Sequence, residues 1–230
     1  MTLQEAIKQR HSVRRYVHKP LSAEIVETLR KKIDECNAEG GLHIQLVTNE
    51  TRAFTGLFSY GKFSGVENYI VMVGKKADDL DERVGYYGEQ LVLLAQTLGL
   101  NTCWAGLSYR RVDEAYSVGD DEKLTCMIAL GYGATQGHKR KSKTAEQVSN
   151  ISSDSPEWFR NGVEAALLAP TAINQQKFSF TLLPNEQDTE DKPKVLAKRG
   201  FSMVGYTKMD IGIARLHFEI GAGTENFDWA

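Results

Sequence analysis

The 230-residue chain carries 28 basic and 30 acidic side chains, a formal charge of −2, with 41% apolar and 25% charged residues. That balance excludes a disordered polymer, and no apolar run approaches the roughly 20 residues of a membrane-spanning helix. Net charge offers no attraction to nucleic acid or to an anionic membrane.

Thr2 and Glu5 form a capping box ahead of Leu3, Ala6 and Ile7, which predicts a short first helix. Arg10 to Val17 alternates and is rich in β-branched residues, so it is expected to be extended. Ser22 caps a second helix with apolar positions at 25, 26, 29 and 33, and Gly40-Gly41 ends it. Leu42 to Thr48 and Tyr69 to Val73 read as strands, separated by a loop punctuated by Gly56, Gly61 and Gly65. Asp81 to Leu98 is a helix apolar on nearly all sides, the pattern of a buried element, and Gly99 stops it.

A loop around Trp104 and a short helix from Val112 to Tyr116 are expected next, then a strand from Thr125 to Leu130. A basic run (His138 to Lys143) and a polar connector (Ser149 to Ser155) follow. Ser155-Pro156 starts a helix as cap and first-turn proline, ending near Ala169-Pro170. Phe178 to Leu183 reads as a strand, Glu186 to Lys194 as a solvated loop, and Lys208 to Ile220 as the last helix.

Two segments look like copies. Gly88 and Gly99 bracket one apolar helix, Gly212 and Gly223 another, with the same spacing, and a helix and strand precede each. The expected organisation is a first half over residues 1–150 and a truncated second half over 151–230, together one globular unit. The first half alone has the Arg/Ser arm and the basic run. The second alone has Ala169-Pro170-Thr171-Ala172-Ile173-Asn174-Gln175-Gln176.

Alternation places Arg10, Ser12 and Arg14 on one face of an extended arm. Two guanidiniums and a hydroxyl suit a phosphate or an oxygen-rich ring, because Arg offers planar forked donors. Standing alone, they also describe a solvated basic edge. Lys139, Arg140, Lys141 and Lys143 normally form a solvated face or occasionally a nucleic-acid patch, and without stacking aromatics beside them nucleic acid is weak. Gly131-Tyr132-Gly133 follows a strand, but the third glycine comes one place late and no helix opens there, so a Rossmann dinucleotide site is rejected. Cys36, Cys103 and Cys126 are too few and too dispersed for a disulfide framework or a zinc site. Reduced thiols and an N-terminus unlike a secretory signal lead to the expectation of a cytoplasmic protein.

Arg10-His11-Ser12-Val13-Arg14 after a short capped helix resembles the N-terminal flavin-binding arm of the FMN-dependent nitroreductases. Gly88 to Gly106 is similar to that family's central helix and following loop. Ile128 to Gly133 with the downstream Lys-Ser-Lys is similar to its last strand and phosphate-binding pair, and Ala169 to Gln176 resembles its Ala-Pro-Ser-x-x-Asn-x-Gln turn. In ordinary members that turn lies between arm and central helix; here it stands in the second half, with Lys177-Phe178 in place of the usual Pro-Trp.

The resemblance implies an α+β fold, an antiparallel sheet flanked by helices, built as two degenerate pseudo-symmetric halves. It implies a monomer acting as a fused pseudo-dimer, with FMN as cofactor and NAD(P)H as co-substrate. The acceptor would be a small molecule, a nitro compound or quinone. Arg10, His11, Ser12 and Arg14 would hold phosphate, ribityl and pyrimidine edge; Lys141 and Lys143, with Arg140 a third candidate, the phosphate. Pro170, Thr171, Ala172 and Asn174 would line the ring, and the Ala105-Gly106 backbone would approach its N5 edge. No protein group is expected to react itself, since the cofactor carries the chemistry. A flavin-binding sensor without turnover and a flavin-free interaction protein are the alternatives.

Overall fold

The computed structural model describes residues 1–55, 63–137, 140–184 and 192–230. Gly56, Gly61, His138, Lys139 and most of the expected loop over 186–194 lie outside the described residues. The chain forms two compact units. The first holds residues 1–2, 9–80 and 90–139; the second holds 3–8, 81–89 and 140–230.

The first unit is built on a four-stranded antiparallel sheet in the order β1-β2-β4-β3, from Gln45–Val47, Asn68–Lys75, Glu122–Gly131 and Asn101–Ala105. Side chains alternate along a strand, so Tyr69, Val71 and Val73 share one face with Met127, Ala129, Cys103 and Ala105, and all are buried. Phe54 and Phe63 extend that core, edge-on to each other at 4.9 Å. Ile70, Met72, Ile128 and Leu130 face the other way and are also fully buried. Helix α2, Ala23–Gly40, begins where the Ser22 hydroxyl accepts the Ile25 N–H and ends on Gly41 in the left-handed region (φ 58°).

Helix α3, Leu80–Thr97, contributes its first two turns to the second unit and the rest to the first. The second unit adds α1 (Leu3–Gln9), α4 (Glu157–Leu167) and α5 (Thr207–Ala222). Its three-stranded sheet, in the order β5-β6-β7, uses Phe178–Leu182, Lys194–Arg199 and Asp228–Trp229. Its core is aromatic: Phe218 on α5 stacks on Phe180 at 4.7 Å and meets Phe159, Phe227 and Trp229.

Within the second unit α3 and α5 cross at two glycines. A Cβ on Gly85 would stand 2.1 Å from the Met209 carbonyl oxygen, and one on Gly212 2.1 Å from that of Glu82. The contacts are reciprocal: each glycine faces the carbonyl three residues before the other. Neither neighbour can give way, because both are backbone. Arg215 to Glu82 (2.8 Å), Tyr86 to Glu219 (2.6 Å) and a fully buried His217–Glu89 pair (2.9 Å) flank the crossing.

The order helix, strand, strand, helix, strand occurs twice, as α2-β1-β2-α3-β3 and α4-β5-β6-α5-β7. Leu80 and Thr207, which open α3 and α5, are as far apart in sequence as Asn101 and Asp228, which open β3 and β7. Gly85 and Gly212, which meet at the crossing, have that same separation. β1–β2 and β5–β6 are both antiparallel hairpin-like pairs, while β7 lies directly beside β6 where β4 stands between β2 and β3.

Four expectations change. Residues around Trp104 form strand β3 rather than a loop: flanking Gly99 and Gly106 suggest a turn, yet Asn101–Ala105 pairs with β4 along its whole length. Val112 to Tyr116 is a turn closed by Ala115 N–H to Val112 O (2.9 Å), not a helix. Its apolar residues anchor the turn to the core and only imitate helical spacing. Pro156 (ψ 149°) is the cap of α4 instead of its first helical residue, so helical geometry begins at Glu157. Strands β6 and β7 were unforeseen, being charged and two residues long respectively.

Candidate functional site

The arm follows α1 and is sewn into the first unit by backbone pairing. Ser12 bridges Thr102 on β3 in parallel, Arg15 bridges Ser64, and Tyr16 bridges Gly133. Val13 N–H donates to Thr102 O (3.0 Å), and Ser64 N–H to Arg14 O (3.0 Å). Tyr16 is the arm's anchor. Its buried hydroxyl donates to Val13 O at 2.6 Å, and burial pushes its pKa well above the ordinary phenol value.

That stitching sets the Ser12 backbone beside Thr102, the neighbour of the buried Cys103 on β3. Burial raises the Cys103 pKa; the Arg14 and Arg10 guanidiniums and a hydrogen bond with Ser12 oppose it. Arg10 is buried and Arg14 exposed, so the positive charge runs from the core edge outward to solvent. Among the described residues no ion pair engages Arg14. His11 points its Nδ1 to Gln9 O (2.8 Å) and packs on Gly137, where a Cβ would come within 2.5 Å of the His11 Cβ. Gly133 has a like role: its N–H donates to Asn101 Oδ1 (3.0 Å), and a Cβ there would meet that oxygen and Val13. Ala105 closes β3 with its side chain in the core, and Gly106 begins the bend beyond it.

In the second unit the basic run and the Ala-Pro-Thr turn are joined. Gln176, 2% exposed, is the joint. Its side chain accepts the Lys143 N–H (2.9 Å) and donates to Ser142 Oγ (3.1 Å) and Leu167 O (2.9 Å). Its own N–H donates to Thr171 Oγ1 (3.0 Å), and its carbonyl accepts the Lys143 ammonium (2.6 Å). Arg140 caps the end of α4 by donating to Leu167 O and Ala169 O (2.8 and 3.0 Å). Asn174 donates to Lys141 O (2.6 Å). Pro170 is buried; Lys141 is exposed. Burial and the neighbouring Lys177 lower the Lys143 pKa.

The turn is strained. Ile173, Asn174 and Gln176 all have positive φ (47°, 58° and 44°), a conformation that costs an ordinary residue of order 1–3 kcal/mol. Asp210, buried on α5, holds it from behind: its Oδ1 accepts the Ala172 N–H (3.0 Å) and its Oδ2 the Gln175 amide (2.6 Å). Burial pushes the Asp210 carboxyl up to about 6, and those two hydrogen bonds oppose the rise. Sequence reading missed Asp210, Tyr16 and Gln176. An acid in a helix's first turns is ordinary, and no local signal marks Asp210 as a turn-holder; Gln176 stood in the motif without an assigned role.

Among the described residues no cluster of ligating side chains could hold a metal ion, and no helix is long and apolar enough to cross a membrane. The donor set of the arm, two guanidiniums, a hydroxyl and an imidazole, suits an anionic, oxygen-rich ligand.

The family model described as "Putative TM nitroreductase" matches residues 2–222. No curated protein sequence matches the chain. Among solved structures, a "putative nitroreductase" from Thermotoga maritima is 23% identical, covering 96% of this chain and 83% of its own at a TM-score of 0.62. One from Desulfovibrio desulfuricans, solved in complex with FMN, is 16% identical over 68% of this chain and 99% of its own (TM-score 0.52). Nitroreductase A from Vibrio parahaemolyticus is 17% identical over 68% and 78% (TM-score 0.53). At these identities the likeness is one of fold.

Proposed function

The chain belongs to the nitroreductase family, and we propose that it is an FMN-dependent oxidoreductase, taking hydride from NAD(P)H and delivering it to a small nitro, quinone or similar acceptor. The observation that carries this reading is the pairing of the Arg10–Arg14 arm to β3, with Ser12 bridging Thr102 and Val13 N–H donating to Thr102 O. That is the stretch where the sequence resembles the family's flavin arm, and its donors have the charge and the forked geometry an anionic cofactor needs. FMN would supply the hydride-accepting ring; the protein's part is to bind, orient and polarise it.

In this reading Arg10 and Arg14 set a positive field, Ser12 and His11 donate or accept at oxygen-rich parts of the cofactor, and Gly133 and Gly137 leave room for the backbone that aims them. Lys141 is the exposed phosphate ligand. Lys143 spends one ammonium donor on Gln176 and keeps others for phosphate, since an ammonium has three. In the second unit Pro170, Thr171, Ala172 and Asn174 are the proposed ring contacts; in the first, the Ala105-Gly106 backbone is. The expected stoichiometry is one FMN per chain. The repeated element order and the reciprocal Gly85/Gly212 contacts support a duplicated, fused origin, in which a single chain does the work of a pair.

Calorimetric titration of the apoprotein with FMN and with riboflavin tests the reading. FMN should bind far more tightly, because only it carries the phosphate. Equal affinity, or no binding of either, would overturn it.

A further inference from the structure

We propose that the β6–α5 loop of the second unit, residues 200–206, is a docking tip for an anionic lipid surface. The loop exposes apolar side chains to a degree unusual for a folded unit: Phe201 is 87% exposed, Met203 94% and Val204 46%. Ile173, 78% exposed, stands on the turn that Gln175, two residues on, ties to Gly205 O (3.0 Å). Single exposed apolar residues need no explanation, whereas a contiguous group is a sign of interaction.

The tip is held in place. Gly200 N–H donates to Lys177 O (2.6 Å) at its root, Val204 N–H to Ser202 Oγ (3.1 Å) in its middle, and the Gln175 contact pins its far end.

Charge decides the partner. The chain as a whole carries −2, which argued against an anionic membrane, but charge is unevenly spread. Within two residues of the loop, Lys198, Arg199 and Lys208 are basic and no side chain is acidic. Strand pairing sets Arg199 opposite Phe178 and Lys198 opposite Ser179, so Lys177, Lys198 and Arg199 ring the root of the loop, all exposed. The nearby carboxyl, Asp210, is buried and already accepts two hydrogen bonds. An apolar tip in a basic collar is the combination that enters the boundary between headgroups and acyl chains: the side chains leave water while the collar meets anionic headgroups. A second copy of the chain fits less well, since a self-complementary contact would bring like collars together. A nucleic acid fits less well because Met and Val gain nothing from phosphates or base edges.

The test is flotation of the full chain with vesicles of phosphatidylcholine alone and of phosphatidylcholine mixed with phosphatidylglycerol. The chain should float with the mixed vesicles and not with the neutral ones, and added salt should release it. The double variant F201S/M203S should bind about tenfold or more weakly. Each of Lys198→Ala and Arg199→Ala should cost about fivefold. These side chains are exposed, so circular dichroism and FMN affinity should be unchanged, which separates this proposal from the flavin reading. Failure to float, equal binding to both vesicles, or sedimentation showing that Phe201 and Met203 instead drive dimerisation would overturn it.

Discussion

Replacing Asp210 by Asn removes a buried charge while nearly preserving shape. The native carboxyl titrates at about 6 against an ordinary 3.8. Below both values the group is protonated in folded and unfolded chains alike and charge costs nothing. As pH rises through the window, the unfolded chain gives up its proton first, and stability falls until the folded carboxyl has ionised as well. A gap of about two pH units corresponds to about 3 kcal/mol over the full window, of which about half is lost between roughly pH 5 and pH 7.5. Asp210→Asn lacks that term but puts an amide N–H toward the Gln175 amide that now donates to Oδ2, an offset of about 1 kcal/mol that does not vary with pH. Urea unfolding of both proteins at several pH values isolates the difference. Native stability should fall relative to the Asn variant by about 1–1.5 kcal/mol between pH 5 and 7.5. Parallel pH profiles would refute the claim that Asp210 is ionised while buried behind the turn.

Arg10→Ala should weaken FMN binding about ten- to hundredfold, a charge-assisted contact being worth roughly 1.5–3 kcal/mol; an unchanged dissociation constant in fluorescence titration would remove Arg10 from the site. Gly212→Ala should destabilise the chain by about 2–3 kcal/mol in urea unfolding, since its methyl meets the Glu82 carbonyl at 2.1 Å and must push α3 and α5 apart. A cost below about 0.5 kcal/mol, the scale of a neutral surface change, would mean that the helices do not cross there. Light scattering with flavin absorbance on one chromatographic peak should give one FMN on a 25.7 kDa monomer; flavin travelling only with a dimer would end the fused-pair reading.

The sequence is most legible where one residue type answers one local demand. Ser22 and Gly41 bound α2 because a hydroxyl cap and a left-handed stop are local requirements. β2 and β4 are legible through their continuous apolar runs, and the arm through its alternation. What a single sequence hides is set by distant partners. Asn101–Ala105 looks like a loop between glycines until β4 is there to pair with it. The glycines bracketing the two long helices were visible, but which glycine meets which helix depends on a crossing: Gly85 is required by the Met209 carbonyl, and nothing near Gly85 in the sequence says so. The site divides likewise. Arg10, Ser12 and Arg14 could be chosen from spacing, whereas the tie from Lys143 to Gln176 and the support Asp210 gives to Ala172 span 33 and 38 residues. Lys194 to Arg199 carries no assignment from sequence, yet its Val195 is fully buried between β5 and β7.

The most direct test of the account is the visible absorption spectrum of the full chain, reconstituted with FMN, before and after anaerobic NADPH or NADH. The account predicts a protein-bound flavin spectrum that bleaches on adding the nicotinamide and returns when a nitro compound or quinone is supplied. A chain that takes up no flavin, or holds one that neither nicotinamide bleaches, would contradict it.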